Sequence, residues 1–337
     1  MKTSTLRTFL LATVIGGMAL MATSCKSARR EAAATETDTL VLRGPQFRAD
    51  SAYSFAEKQC AFGPRTMNSA AHDRCGEWIV EQFRSYGLAV TTQDAQLRGY
   101  DGTLLRSRNI TASYRPEASE RVLLCAHWDS RPWADNDPDS TNWHKPVMAA
   151  NDGASGVAVM LELARLLQAD TTAQVGIDFV CFDAEDWGTP QWADTPDDPD
   201  SWALGAQHWA KNLPGDYKPR FGILLDMVGG QGARFCQEGY SKQYAPQVVQ
   251  KVWQTAQRMG LGSYFPMSDG AYITDDHVPV NEKAGIPCID LIPYYPDCAQ
   301  SSFGTTWHTV SDTMDNIDAQ TLAAVGRVLV QILYTEQ

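Results

Sequence analysis

His127 and Asp129 in CAHWD, Asp152 in AANDGASG, Glu185 and Asp186 in FDAED, Asp226 in LLDMVG and His308 in TWHT are imidazoles and carboxylates in a fixed order along the chain. Each stands at or just past the end of an apolar run. Such a run reads as a buried strand that delivers a side chain to the carboxyl edge of a sheet, where α/β proteins build their sites. Zinc takes a few nitrogen and carboxylate oxygen ligands at about 2 Å and, in a catalytic site, keeps a position open for water or substrate. One neutral imidazole with two carboxylates would nearly cancel the charge of the ion while leaving it a Lewis acid. A lone His or Asp is more often a satisfied polar residue, but so many at successive strand ends specify a zinc site.

The elements that must position these residues follow from periodicity. Residues 51–87 carry helical spacing on both sides of FGPRTMNS, and strands are expected near 88–98, 107–114 and 121–127. The Asp-, Pro- and Asn-rich stretch 128–149 is a loop, and a helix from about Gly156 to Gln168 starts at the small-residue turn GASG. A strand at 175–183, an acidic loop, a helix carrying Gly205, His208 and Trp209, a strand from Phe221 to Asp226 and a helix at 244–259 come next. A turn region GAYITDDHVP, a strand at Ile286–Ile292 and a helix from about Ala319 to Tyr334 close the chain. Strands alternating with helices without a break predict one α/β domain, an α/β/α sandwich on a twisted, mostly parallel mixed sheet.

At 337 residues, 44% apolar and 20% charged, the chain can bury one large core. Residues 1–24 have a basic start at Lys2 and Arg7, an apolar centre and small residues before Cys25, which reads as a lipoprotein-type export signal. Residues 25–45 are polar and alanine-rich and read as a tether, leaving 46–337 as the catalytic domain. The expected location is therefore periplasmic, with a lipid anchor at Cys25. Removing the signal shifts the formal charge from −12 to −14, since Lys2 and Arg7 leave with no acid. So acidic a chain, with no basic stripe, repels phosphate backbones and excludes nucleic acid as a partner. Cys125 and Cys181 lie inside apolar strands and read as core thiols; export permits disulfides among the others without specifying a pairing.

From about Phe62 to its end, over three quarters of its length, the chain resembles the zinc aminopeptidase superfamily that includes the animal-type and Bacteroidetes glutaminyl cyclases. The resemblance rests on HxD, NDGASG, the acidic pair, LLDMVG, DDHVP with GIP, and WHT with its following Asp, in that order. It implies Asp152, Asp186 and His308 as ligands of one zinc per chain and Glu185 as general base and acid. In aminopeptidases of this fold, His127 and Asp226 would hold a second zinc bridged by Asp152. Both residues are present, so the ligand set alone leaves the metal count open.

Three features favour the cyclase. Asp275 precedes Asp276 and His277 where aminopeptidases of the group commonly carry Ser, and a carboxyl facing Asp226 can share its proton and draw it from a second metal. Trp307 beside His308, with Trp187 and Trp192 after the acidic pair, would wall an apolar slot for a compact side chain and keep water out. The second acid is Asp186 rather than Glu, a departure from the animal enzymes. The implied reaction converts N-terminal Gln of peptides or proteins to pyroglutamate with release of ammonia. Trp192 and Trp307 would hold the substrate, while Asp226 and Asp275 would hydrogen-bond the reacting nitrogens. A dinuclear zinc aminopeptidase is the alternative; a non-catalytic binding lipoprotein is opposed by the intact Glu185.

Overall fold

A computed structural model describes residues 40–337. The expected signal sequence at 1–24, the expected anchor at Cys25 and the expected tether as far as residue 39 lie outside the described residues. In chain order the elements are α1 (Ala49–Cys60), α2 (Ala70–Ser85), β1 (Ala89–Arg98), β2 (Leu104–Tyr114), β3 (Arg121–His127), α3 (Ala154–Ala169) and β4 (Gly176–Phe182). They continue through α4 (Leu204–Lys211), β5 (Gly222–Leu225), α5 (Gly239–Tyr244), α6 (Pro246–Arg258), α7 (His277–Glu282), β6 (Cys288–Leu291) and α8 (Ala319–Leu333). The DDHVP segment, expected as a turn, supplies the start of α7.

The sheet order is β1-β2-β4-β3-β5-β6. β1 and β2 pair antiparallel, as do β2 and β4, while β4, β3, β5 and β6 run parallel. From β3 the chain winds outward through α3 to β4 on one side, then returns past it to β5 on the other. That reversal opens a crevice at the carboxyl ends of the parallel strands, the usual ligand position in such sheets.

Alternation along the strands serves both faces. Val122, Leu124 and Ala126 of β3, Ile177, Phe179 and Cys181 of β4, and Ile223 and Leu225 of β5 meet α1, α2, α3, α6 and α8. Leu123, Cys125, Val180, Phe182, Leu224 and Cys288 face the other way, against Ala206 and Trp209 of α4 and Val280 of α7. A large apolar side chain buried this way contributes about 1.5–3 kcal/mol. Burial of both faces explains why these strands read as continuous apolar runs. The expected α/β/α sandwich is the fold observed.

Gln331 of α8 accepts from the Arg43 amide at 2.8 Å and donates to the Val41 carbonyl at 3.1 Å, so the last residues read as tether dock on the domain. Cys125 and Cys181 are fully buried, and the seven described cysteines are free thiols. No helix among the described residues is long and apolar enough to cross a membrane.

Candidate active site

The strand ends deliver part of the expected set. His127 ends β3, Glu185 and Asp186 follow β4, and Asp226 follows β5. Asp152 and His308 differ from expectation, because both come from loops: Asp152 lies in the turn before α3, and His308 between β6 and α8. Buried carboxylates hold these loops in place. Asp312 accepts from the backbone amides of Asn151 at 2.8 Å and Asp152 at 3.0 Å. Asp129, fully buried, accepts from those of Glu185 at 3.1 Å and Asp186 at 3.2 Å. Asp129 therefore acts as a brace for the acidic pair.

His308 is itself in the left-handed region, φ 54°, as are Ala184 before Glu185 (φ 53°) and Met227 after Asp226 (φ 49°). Non-glycine residues are rare there, and such strain gathers at functional sites. Gly153 has φ 106°, and a Cβ on it would stand 2.6 Å from the Asp129 carbonyl and 3.1 Å from His127 Cε1. Gly153→Ala is accordingly expected to cost about 3 kcal/mol or more. Gly232→Ala, at φ 70° with nothing within 4 Å of the added carbon, is expected to cost only about 1 kcal/mol. Thermal unfolding of the two variants side by side checks the difference.

Two trios of ligand-type atoms meet at Asp152. His308 Nε2 lies 3.2 Å from Asp186 Oδ1 and 3.5 Å from Asp152 Oδ2. On the other side His127 Nε2 lies 3.0 Å from Asp152 Oδ1 and 3.3 Å from Asp226 Oδ1. Asp152 Oδ2, both oxygens of Asp186 and Asp226 Oδ1 are buried without a hydrogen-bond partner. Buried anionic oxygens left orphaned beside an imidazole are costly unless a cation completes them. The first trio, Asp152, Asp186 and His308, thus fits a zinc ion in donor type and in number, and His127, Asp152 and Asp226 form a second group able to hold a metal.

Charges around the trios tune their protonation. Burial alone would lower the His308 imidazole, but Asp186 foremost among its neighbours raises it to about 9. Its Nδ1 lies 3.5 Å from Asp135 Oδ1, and Asp135 is clamped by the fully buried Arg131 through bonds of 3.0 and 2.7 Å. Arg131 also donates to the carbonyls of Asp186 at 3.1 Å and Gly188 at 3.0 Å, tying both ligand loops together. Burial, then the adjacent Asp186, pushes the Glu185 carboxyl well up. Asp275 is pushed up to about 7 by burial and then by the charge of Asp226. Asp276 and Asp290 behind it are raised for the same kind of reason, burial first and Asp275 next.

A cavity of about 360 Å³ opens onto these groups. Asp152, Glu185, Asp226, Asp275 and His308 line it, with Trp202, Trp307, Ile273, Ile292 and Phe303 as apolar walls. The Trp307 ring stacks on His308 at 3.8 Å and 21°, and Trp202 lies near-parallel to the same imidazole at 6.1 Å and 11°.

Trp192 is not brought to this cavity. It stacks on Trp143 at 6.1 Å in a separate aromatic group with Trp133 and His144. Trp187 likewise packs edge-on against Trp133 at 5.2 Å. The loop after Asp186 folds back on itself, with Trp202 against Gly188 so closely that a Cβ there would meet its ring at 2.0 Å. Trp202 therefore takes the place expected of Trp192.

The model of peptidase family M28 matches residues 109–333. Among solved structures, the chain is similar to the glutaminyl cyclase of Tannerella forsythia, at 50% identity and TM-score 0.85, over 87% of this chain and 100% of that one. It is also similar to the Bacteroides thetaiotaomicron glutaminyl cyclase bound to N-acetylhistamine, at 48% identity and TM-score 0.85, again over 87% and 100%. The Bacillus subtilis aminopeptidase YwaD is 27% identical over 281 residues, 80% of this chain, which spans about half (54%) of that relative's length.

Proposed function

The chain belongs to peptidase family M28, and from that premise we propose that it is a glutaminyl-peptide cyclotransferase acting on N-terminal glutamine of peptides or proteins. The observation that carries the reading is the cavity, an aromatic-walled slot of about 360 Å³ with acids at the reacting position and no Lys or Arg in its lining. That size is at the small end of ligand pockets, about 300–1,000 Å³, and suits one side chain with its free amine. The acidic lining complements a cationic amine. Likeness to solved glutaminyl cyclases supports the same conclusion.

Asp152, Asp186 and His308 would hold a single zinc ion, which supplies a Lewis acid to the γ-carbonyl oxygen of the substrate. Trp202 and Trp307 close the slot around the folded glutamine side chain and exclude water, so the substrate's own α-amine is the available nucleophile. As the amine nitrogen bonds to the carbonyl carbon of the side-chain amide (Cδ), Glu185 takes the proton it loses. The same proton is returned to the amide nitrogen as the carbon–nitrogen bond breaks, ammonia leaves, and no water is consumed. Asp226 and Asp275 hydrogen-bond the amine and the departing nitrogen. The export-type leader and Cys25 support placing the enzyme in the periplasm on a lipid tether.

A dinuclear exopeptidase is the second reading, favoured by the approach of Asp152 to both His308 and His127. Offering the protein a Gln-initiated and a Leu-initiated peptide, and following ammonia and free amino acid separately, tests both. The cyclase must give ammonia from the first with no released residue, and nothing from the second; free leucine establishes the exopeptidase. Metal analysis of protein purified without added zinc is a further check. Alanine at Asp152, Asp186 or His308 is expected to remove the metal, and His127→Ala to retain it at the wild-type ratio. Zinc loss from the His127 variant would favour the dinuclear site.

A further inference from the structure

Behind the catalytic turn a buried pair joins α2 to the end of β4. His72, in the first turn of α2 and only 2% exposed, places Nε2 2.8 Å from Asp183 Oδ1. Its ring stacks on Trp128 at 4.2 Å and 20°. Its Nδ1 has no hydrogen-bond partner, the Asp73 carboxylate being 3.7 Å away. The ring is thus held by its bond to Asp183 and by the stack. None of the residues lining the cavity on which His72 opens also lines the active cavity.

Asp183 is a hub for the turn that carries Glu185. Its Oδ1 also accepts from the Ala184 amide at 2.9 Å, and its Oδ2 from the Arg108 amide at 2.6 Å. Ala184 is the left-handed residue just before Glu185. Its carbonyl and that of Glu185 accept from the amides of Leu204 and Ala203, each at 3.1 Å, at the start of α4. A fully buried carboxylate needs a compensating positive or hydrogen-bonding partner, or it holds its donors poorly. The Arg108 guanidinium is engaged with Asp94 at 2.7 Å and gives Asp183 only its backbone amide. His72 is then the side chain that satisfies Asp183.

We propose that His72 is a positioning residue for the reaction: paired with Asp183, it fixes the left-handed Ala184 turn and so aims the Glu185 carboxylate at its proton. The inference rests on the reading of Glu185 as the general base, which the cyclase and exopeptidase readings share. A misplacement of the base by a fraction of an ångström acts on turnover and leaves ground-state binding and the metal alone.

The test compares His72→Leu, His72→Gln, Asp183→Asn and the double variant His72→Leu/Asp183→Asn with wild type, using kcat, KM, bound zinc and thermal midpoint. His72→Leu is expected to lower kcat by about 10- to 100-fold with KM within about threefold and zinc unchanged. Gln puts an amide N–H where Nε2–H stands and is expected to restore kcat to within about threefold of wild type. The double variant is expected to be no worse than the worse single change, since both break one interaction. A His72→Leu enzyme with near-wild-type kcat, a Gln variant no better than Leu, or multiplicative losses in the double variant would each overturn the proposal. Should the Leu variant not fold, His72→Asn, too short to reach Asp183, replaces it and must show the same kcat loss. If wild type releases leucine and no ammonia, the cyclase reading fails by itself. The variants are then compared on the peptide that wild type hydrolyses, which keeps the two failures distinct.

Discussion

Glu185→Gln is expected to lower kcat by about 10²- to 10⁴-fold, the range for a general base in proton transfer, with zinc content and thermal midpoint held. Gln matches Glu in shape, and the bonds that fix this position run through the backbone amide to Asp129, which the substitution leaves intact. What is lost is the capacity to accept the amine proton and return it to the leaving nitrogen. The raised proton affinity of Glu185, from burial and then from Asp186, suits a group that must both take and give a proton near neutral pH. Steady-state ammonia release with metal analysis on the same preparation measures both halves. Zinc loss in step with activity would instead make Glu185 a ligand.

How much of this was legible in the sequence depended on whether chain order and space coincide. At β3, β4 and β5 an apolar run ends directly at a functional side chain, so His127, the acidic pair and Asp226 could be read with their place in the fold. Asp152 and His308 could be read as ligands but not placed, because their loops are set by distant side chains. Asp312 caps the first, and Asn136, which donates to the Trp307 carbonyl at 3.1 Å, holds the second. The left-handed backbone at His308 has no sequence signal at all, since no glycine marks it.

Trp192 and Trp202 show the other side of the same rule. Nearness in sequence to Asp186 placed Trp192 in the slot, yet the loop after Asp186 turns back at Gly188 and brings the Trp ten residues later to the imidazole. An Asp- and Pro-rich stretch has no periodicity from which such a reversal could be read. Arg131 and Asp135 were missed for a related reason. They lie in a segment whose composition reads as solvent-exposed loop, although both are buried at the centre of the site.

Asp275→Ala is expected to lower cyclisation by at least about 10²-fold, the scale of a positioned polar group in the transition state. The variant tests the feature that separates cyclase from exopeptidase. Asp226 and Asp275 line one cavity, and each is raised in proton affinity, Asp226 by burial foremost and Asp275 to about 7 by burial and then by Asp226. Two such carboxyls resist being ionised together, so near neutral pH the pair holds a proton that one of them can donate. Removing Asp275 leaves Asp226 without that proton-sharing partner beside His127, 3.3 Å away, which is the arrangement that suits a second metal. Asp275→Asn keeps a neutral donor of the same shape and is expected to lose less than the alanine variant. The measurement is kcat for a Gln-initiated peptide in the three proteins, with zinc per chain determined on each. Near-full activity in Asp275→Ala would remove the main reason for assigning Asp226 to substrate rather than to metal.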